Sequence, residues 1–198
     1  VRRLKQAAGD IGIRRAGLRV RGDSDLNPGL GYKPNLVPAA VLVPIVERET
    51  PTIMLTRRTA HLHNHAGQIS FPGGRVDPCD TNPIDCALRE AEEEVGLAPT
   101  RVEIIGRLDT YQTRTGFEIV PVVGVVRPPF DLSPDTFEVA EVFEVPLSFI
   151  VDAANHQRHS RLDPTGIERH FWAMPYNDYY IWGATAGMLV NLSEVLRG

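Results

Sequence analysis

The sequence predicts an α/β (α+β) fold in which a mixed β-sheet is held between helices. Three observations point there. Apolar, strand-like runs lie both before and after one strongly amphipathic stretch, residues 83–95. That stretch carries start and stop signals of a helix, and a second helical stretch closes the chain after further strands. The 198 residues suit one domain with a real core.

Taken in order, residues 1–35 are polar, basic and interrupted by Gly and Pro, with a short helix expected near the start and an irregular arm through Asn27-Pro28-Gly29. They read as an N-terminal extension, either loosely attached or serving as a dimerisation or lid element. The domain proper is expected over 36–198. The continuous apolar run AAVLVPIV (39–46) reads as a buried strand. TIMLTRR (52–58) follows Pro51 as a second strand, and the two are expected to pair as a hairpin. A His- and Gly-bearing loop (59–67) and a short QISF segment lead into Pro72-Gly73-Gly74.

Residues 83–95 carry the clearest helix signal. Asn82 is a good N-cap, Pro83 suits the first helical position, Asp85 sits at the positive end of the dipole, and Gly96 is the stop. Ile84, Ala87, Leu88, Ala91 and Val95 form an apolar stripe centred on Ile84, Leu88 and Val95. Strands are expected at 101–110, 117–127 and 138–145, with further apolar and aromatic segments at 168–173 and 179–182. A helix is expected from Ala184 to Leu196.

The charge balance excludes some partners. The formal net charge is −4, against the basic excess of a general nucleic-acid binder. No run of eighteen apolar residues exists to cross a membrane, and no apolar run backs the basic N-terminus as in a signal peptide. Two cysteines, Cys79 and Cys86, make no disulfide framework, so a reducing, cytoplasmic setting is expected.

On a wheel at about 100° per residue, Glu90, Glu93 and Glu94 fall on one sector of the 83–95 helix. Glu90 and Glu94 are i, i+4 neighbours, and Glu90 and Glu93 are i, i+3 neighbours, so like charges repel. Hard oxygen donors on a rigid helix are what Mg2+ or Mn2+ prefers, and Arg89 is placed to pair with Glu93 four residues on.

The segment GRVDPCDTNPIDCALREAEEEVGL (74–97) resembles the Nudix box. Arg89, Glu90, Ala91, Glu93, Glu94, Gly96 and Leu97 match its second half position by position. The first half departs: Asp80 replaces Glu, and eight residues rather than seven separate it from Arg89. Upstream, LTRRTAHLHNHAGQISFPGG (55–74) is similar to the accessory motif of Nudix enzymes that hydrolyse coenzyme A. Thr59 stands there at the Ser/Ala position, and His63 where that motif has its second Arg. IWGATAGML (181–189) is similar to the C-terminal segment of the same subgroup.

The resemblance implies an α/β/α sandwich and hydrolysis of a diphosphate linkage, that of coenzyme A or a related nucleoside diphosphate, with Mg2+ or Mn2+ as cofactor. It implies Glu90, Glu93, Glu94 and the Gly74 carbonyl as metal ligands. Catalytic roles fall to Arg89, which holds a carboxylate, and to Glu93 or Glu141 as general base. Arg57, Arg58, His63, His65 and Gly67 would hold the substrate's phosphates, with Tyr111, Phe117, Trp172 and Trp182 as candidates to stack on adenine. A homodimer is compatible with the resemblance.

Overall fold

The computed structural model describes residues 19–31, 33–61 and 66–198. The helix expected near the start, with His63 and His65, lies outside the described residues. The main sheet has nine strands. In chain order they are β1 (Val20–Gly22), β2 (Val37–Val46), β3 (Thr52–Arg58), β4 (Ile69–Ser70), β5 (Gly73–Arg75), β6 (Val102–Arg107), β7 (Thr110–Gln112), β8 (Phe117–Val126) and β9 (Val139–Pro146). A smaller antiparallel sheet follows: β10 (Gln157–Leu162), β11 (Glu168–Tyr176) and β12 (Tyr179–Trp182). Among the described residues the helices are α1 (Pro83–Val95), α2 (Leu147–Val151) and α3 (Ala184–Arg197). None is long and apolar enough to cross a membrane.

The main sheet is mixed, as expected. β2 runs parallel to β8 over its whole length, and β3 runs antiparallel to β9. The expected hairpin of β2 and β3 forms only at its closed end, where Ile45 faces Ile53 and Val46 faces Thr52. The ladder stops next to Pro44, which has no N–H to donate. Beyond that point the strands splay, and the chain from β4 to β5 fills the gap. β4 pairs with β3 at Thr56 and Arg57, β5 pairs with β2 at Ala39 to Val41, and the Leu42 amide donates to the Pro72 carbonyl at 2.9 Å. Gly73 and Gly74 are thereby set inside the sheet rather than on a surface turn.

Strand alternation sorts the core into two layers. Ala40, Leu42, Val122 and Val126 pack with Cys86, Ala87, Ala91 and Val95 of α1. Val43, Ile45, Ile53, Leu55 and Val145 pack on the other face with Leu147, Ile150, Leu189 and Leu192 of α2 and α3. The sheet thus lies between helices, and the small sheet joins the second layer through Met174 and Ile181.

The expected strand at 101–110 ends at Arg107 and resumes as β7. β10 and α2 had no distinct pattern in the sequence. β10 (QRHSRL) shows no apolar alternation because it is mostly exposed. The described part of the N-terminal arm contacts both sheets. β1 adds to β7 in parallel, and Arg21 donates to the buried Asp109 at 2.8 Å. The Asn27 amide group donates to the His170 carbonyl and accepts from its N–H, both at 2.9 Å, as a neighbouring strand would.

Candidate active site

α1 is built as its sequence dictates. The Asn82 side chain accepts from the Ile84 and Asp85 amides, Pro83 opens the first turn, and Gly96 ends the helix with φ 71°. The buried side differs from the expected stripe. It is centred on Ala87, Ala91 and Val95 and includes Cys86 and Glu94, while Ile84 and Leu88 are only half-buried. The helix therefore presses a carboxylate, Glu94, into the protein, because the neighbouring β5 offers Gly–Gly backbone rather than side chains.

The three glutamates occupy different environments. Glu94 is 8% exposed and accepts from the Gly73 amide at 3.3 Å. Burial pushes its carboxyl up to about 7, against the Gly73 hydrogen bond and the nearby Arg58, with Glu90 and Glu138 adding to the rise. Glu90 is half-buried under Gly74. A Cβ built there would stand 2.4 Å from the Glu90 carboxyl carbon, so only glycine lets main chain and carboxylate approach so closely. Burial raises the Glu90 carboxyl too, opposed by a hydrogen bond from Arg89. The Glu93 side chain is 62% exposed and meets Arg89 at 2.9 Å.

Arg89 gathers the cluster. It donates to both oxygens of Asp80 at 2.9 Å, to Glu90 at 3.0 Å and to Glu93 at 2.9 Å. The Asp80 side chain is almost fully enclosed, and the Arg89 hydrogen bonds hold its carboxyl down at about 2. Asp80, the departure from the box pattern, therefore serves as a bidentate anchor for the arginine.

Two side chains of β3 show which face matters. Arg58 lies 3.9 Å from Glu94 and 3.6 Å from Glu138. Arg57 instead pairs with Glu141 at 2.7 Å, and Glu141 also accepts from the Tyr179 hydroxyl at 2.6 Å. Arg57 shares its strand face with Ile53 and Leu55, which pack against the layer of α2 and α3. Glu141 is thus not brought to the helix glutamates. Its strand face turns it, with Arg57, toward the opposite layer. Glu138, which sequence reasoning missed, is the carboxylate that the turn just before β9 brings to Arg58. The register shifts between Arg57 (opposite Glu141) and Arg58 (opposite Val139), and such bulges re-aim side chains beside sites.

The residues fit a divalent cation. Glu90, Glu93, Glu94, Glu138 and Asp80 bring five carboxylates against the guanidiniums of Arg58 and Arg89, and burial raises the Glu94 carboxyl. Among the described residues no three His, Cys, Asp or Glu side chains are gathered closely enough to hold a metal ion by themselves. Mg2+ takes one or two carboxylates and completes its shell with water and phosphate. The Gly74 carbonyl lies beside this cluster, 3.8 Å from the Cys86 thiol.

A cleft of about 450 Å3 opens at Gly73 and Gly74. Its lining includes Arg58 at one wall and Phe117, Phe171 and Trp182 elsewhere. Of the four aromatic candidates, Phe117 and Trp182 line it, whereas Tyr111 is buried and Trp172 packs against the core. Gly67 sits in a turn with φ 68° just before Gln68, which lines the cleft. Cys79 is exposed and Cys86 buried, and neither forms a disulfide.

Carboxylates fixed on a helix, a glycine backbone above them and guanidiniums beside them suit cation-assisted attack of water on a phosphoanhydride. Fold and site thus define a metal-dependent diphosphate hydrolase. Comparison with known proteins narrows the class. Residues 36–165 match the NUDIX domain family model. The chain is 45% identical to the Nudix hydrolase NudL of Escherichia coli over 157 residues, covering 78% of this chain and 80% of that protein. It is 43% identical to NudL of Shigella flexneri over 171 residues, covering 85% and 88%. The fold is similar to that of a MutT/nudix family protein from Enterococcus faecalis, with a TM-score of 0.55 at 18% identity over 85% of this chain and 65% of the other. The chain belongs to the Nudix hydrolase family and is a Nudix diphosphatase.

Proposed function

We propose that the chain cleaves the diphosphate bridge of coenzyme A or an acyl derivative, giving 3′,5′-ADP and a 4′-phosphopantetheine product, with Mg2+ or Mn2+. The observation that carries this reading is the arginine-lined cleft opening at Gly73 and Gly74, the strand that also meets Glu90 and Glu94. It is wide enough for a nucleotide and carries aromatic faces for a base. The upstream segment 55–74, similar to the coenzyme A motif, supplies both Arg58 and the Gly–Gly strand.

Glu90 and Glu94, with Glu93 at the solvent side and the Gly74 carbonyl, would hold the cation. When bound, the cation neutralises the diphosphate and lowers the pKa of a coordinated water. Arg89 fixes Glu90 and Glu93 in place while its own position is set by Asp80. Arg58, 3.9 Å from Glu94, stands where a phosphate oxygen can exchange for that carboxylate. Glu138, on the same side, takes the general-base role that the sequence suggested for Glu141, and Glu93 remains the other choice. Positioning and charge do most of this chemistry.

The test is incubation of the chain with coenzyme A, ADP-ribose or NADH and either cation, followed by product chromatography. Release of 3′,5′-ADP from coenzyme A is the expected result. Intact coenzyme A beside consumed ADP-ribose overturns the substrate assignment.

A further inference from the structure

The cleft has a second cationic wall, far along the chain from the catalytic helix. Among the described residues five arginines line it against a single lining carboxylate, Asp23, whose oxygens accept from the Tyr111 hydroxyl and the Arg114 amide. Arg58 and Arg75 flank Gly73–Gly74. The other three, Arg114, Arg161 and Arg169, come from the β7–β8 turn and the small sheet.

Arg161 and Arg169 are direct cross-strand partners on β10 and β11, so their side chains leave the same face of the sheet. Like charges placed opposite each other destabilise a sheet. The structure nevertheless fixes them there. The Arg161 guanidinium lies 4.7 Å from the ring centroid of Trp182. Arg169 Nε donates to Asp163 Oδ2 at 3.0 Å, and Arg114 Nη1 reaches the same oxygen at 3.5 Å. The other Asp163 oxygen accepts from the Thr165 hydroxyl and from the Thr165 and Ile167 amides. These bonds, the Thr165 hydroxyl first, hold the Asp163 carboxyl well below the usual carboxylate range. One buried, permanently ionised carboxylate thus tethers two guanidiniums and leaves their positive charge in excess.

The geometry points to a receptor for a second phosphate: Arg114, Arg161 and Arg169 bind a phosphomonoester that the substrate carries away from its scissile diphosphate. This deepens the coenzyme A reading and rests on it, moving recognition of the ribose phosphate from the loop at 57–65 to the wall of the small sheet. Planar guanidiniums gathered along one wall of the cleft match the oxygens of a dianion. An anion between Arg161 and Arg169 also relieves their repulsion. The diphosphate itself is drawn to the other wall, where Arg58 and the glycine strand adjoin the helix carboxylates.

The test is calorimetric titration of the full chain, without added metal, with 3′,5′-ADP and with 5′-AMP, which lacks the 3′-phosphate. The unaltered protein is expected to bind 3′,5′-ADP about tenfold or more tightly than 5′-AMP, as for a charge-assisted hydrogen-bond pair. Arg161→Gln and Arg114→Gln each bring that ratio toward one. Arg161 is the cleaner probe, because its guanidinium rests on a ring rather than on the buried Asp163; a melting curve of each variant establishes that it is folded. Equal affinity for the two nucleotides, or a ratio unmoved in folded variants, overturns the receptor. Coenzyme A left intact while the ratio persists overturns the substrate reading and keeps the receptor. Coenzyme A cleaved without any ratio does the reverse.

Discussion

Arg57 and Arg58 adjoin in sequence, yet the two faces of one strand give them unlike surroundings. On one face Arg57, Glu141 and the Tyr179 hydroxyl form a closed, partly exposed knot, with the Arg57 guanidinium also 5.9 Å from the Tyr179 ring centroid. On the other, Arg58 faces Glu94 and Glu138 at 3.9 and 3.6 Å, too long for firm pairing, amid more negative charge than it can balance. The first face is satisfied as it stands. The second is arranged for something that brings positive charge. Chemistry here is allotted by strand parity and one bulge, not by proximity in sequence.

The largest effect should separate the faces by rate. Glu94→Gln and Glu138→Gln are each expected to lower kcat roughly 10²- to 10⁴-fold, while Glu141→Gln stays within about threefold of the parent, as expected for a partly exposed ion pair. Steady-state kinetics at saturating metal would decide it. A large loss at Glu141 with none at Glu138 would erase the distinction between the faces.

A second contrast lies in pH. In metal-free protein the Glu94 carboxyl is raised from its ordinary 4.5 to about 7, so folding favours its protonated form. That contribution is fully present below about pH 4.5 and is lost as pH rises through about 7. Its size is on the order of 3 kcal/mol. Glu90 shifts the same way, whereas Asp80, held down at about 2, contributes stability only above its ordinary range. Denaturant titrations of metal-free protein between pH 4.5 and 7.5 should show stability falling with pH, and Glu94→Gln should flatten the curve. Added Mg2+ should restore stability at the alkaline end, where the carboxylate is free to bind it. A parent curve already flat would mean that Glu94 ionises freely.

The smallest effect belongs to the closed knot. Arg57→Gln should cost less than about 1 kcal/mol of stability, since half-exposed ion pairs contribute little. Thermal melts would register that as a shift of a few degrees at most.

Much of this was legible in the sequence. The caps and the spacing of Ala87, Ala91 and Val95 announced α1, and the glutamate sector placed the site on it. The resemblance across 74–97 added the Gly74 approach. Other features depend on pairing that no local pattern encodes. Glu141 is a candidate through the family resemblance, but its face is set by its regular pairing with Arg57 across the ladder. Glu138 escaped notice because the strand expected at 138–145 gave no sign of the register shift that sets it beside Arg58. The β2–β3 hairpin was half right, its splaying visible only in Pro44. The small sheet's basic wall was hidden because Arg161 and Arg169 gain meaning from their register across the hairpin.

The cleft draws on two stretches of inheritance. Arg58, Gly73, Gly74, the helix glutamates and Glu138 all fall within the family segment 36–165. Asp23, Asn27, Arg169, Phe171 and Trp182 come from outside it, brought alongside by β1, β11 and β12. The proposed receptor straddles that boundary, with Arg114 and Arg161 inside the segment and Arg169 outside it. Change at the two margins would therefore reshape one wall of the cleft while leaving the helix glutamates and most of the arginines in place.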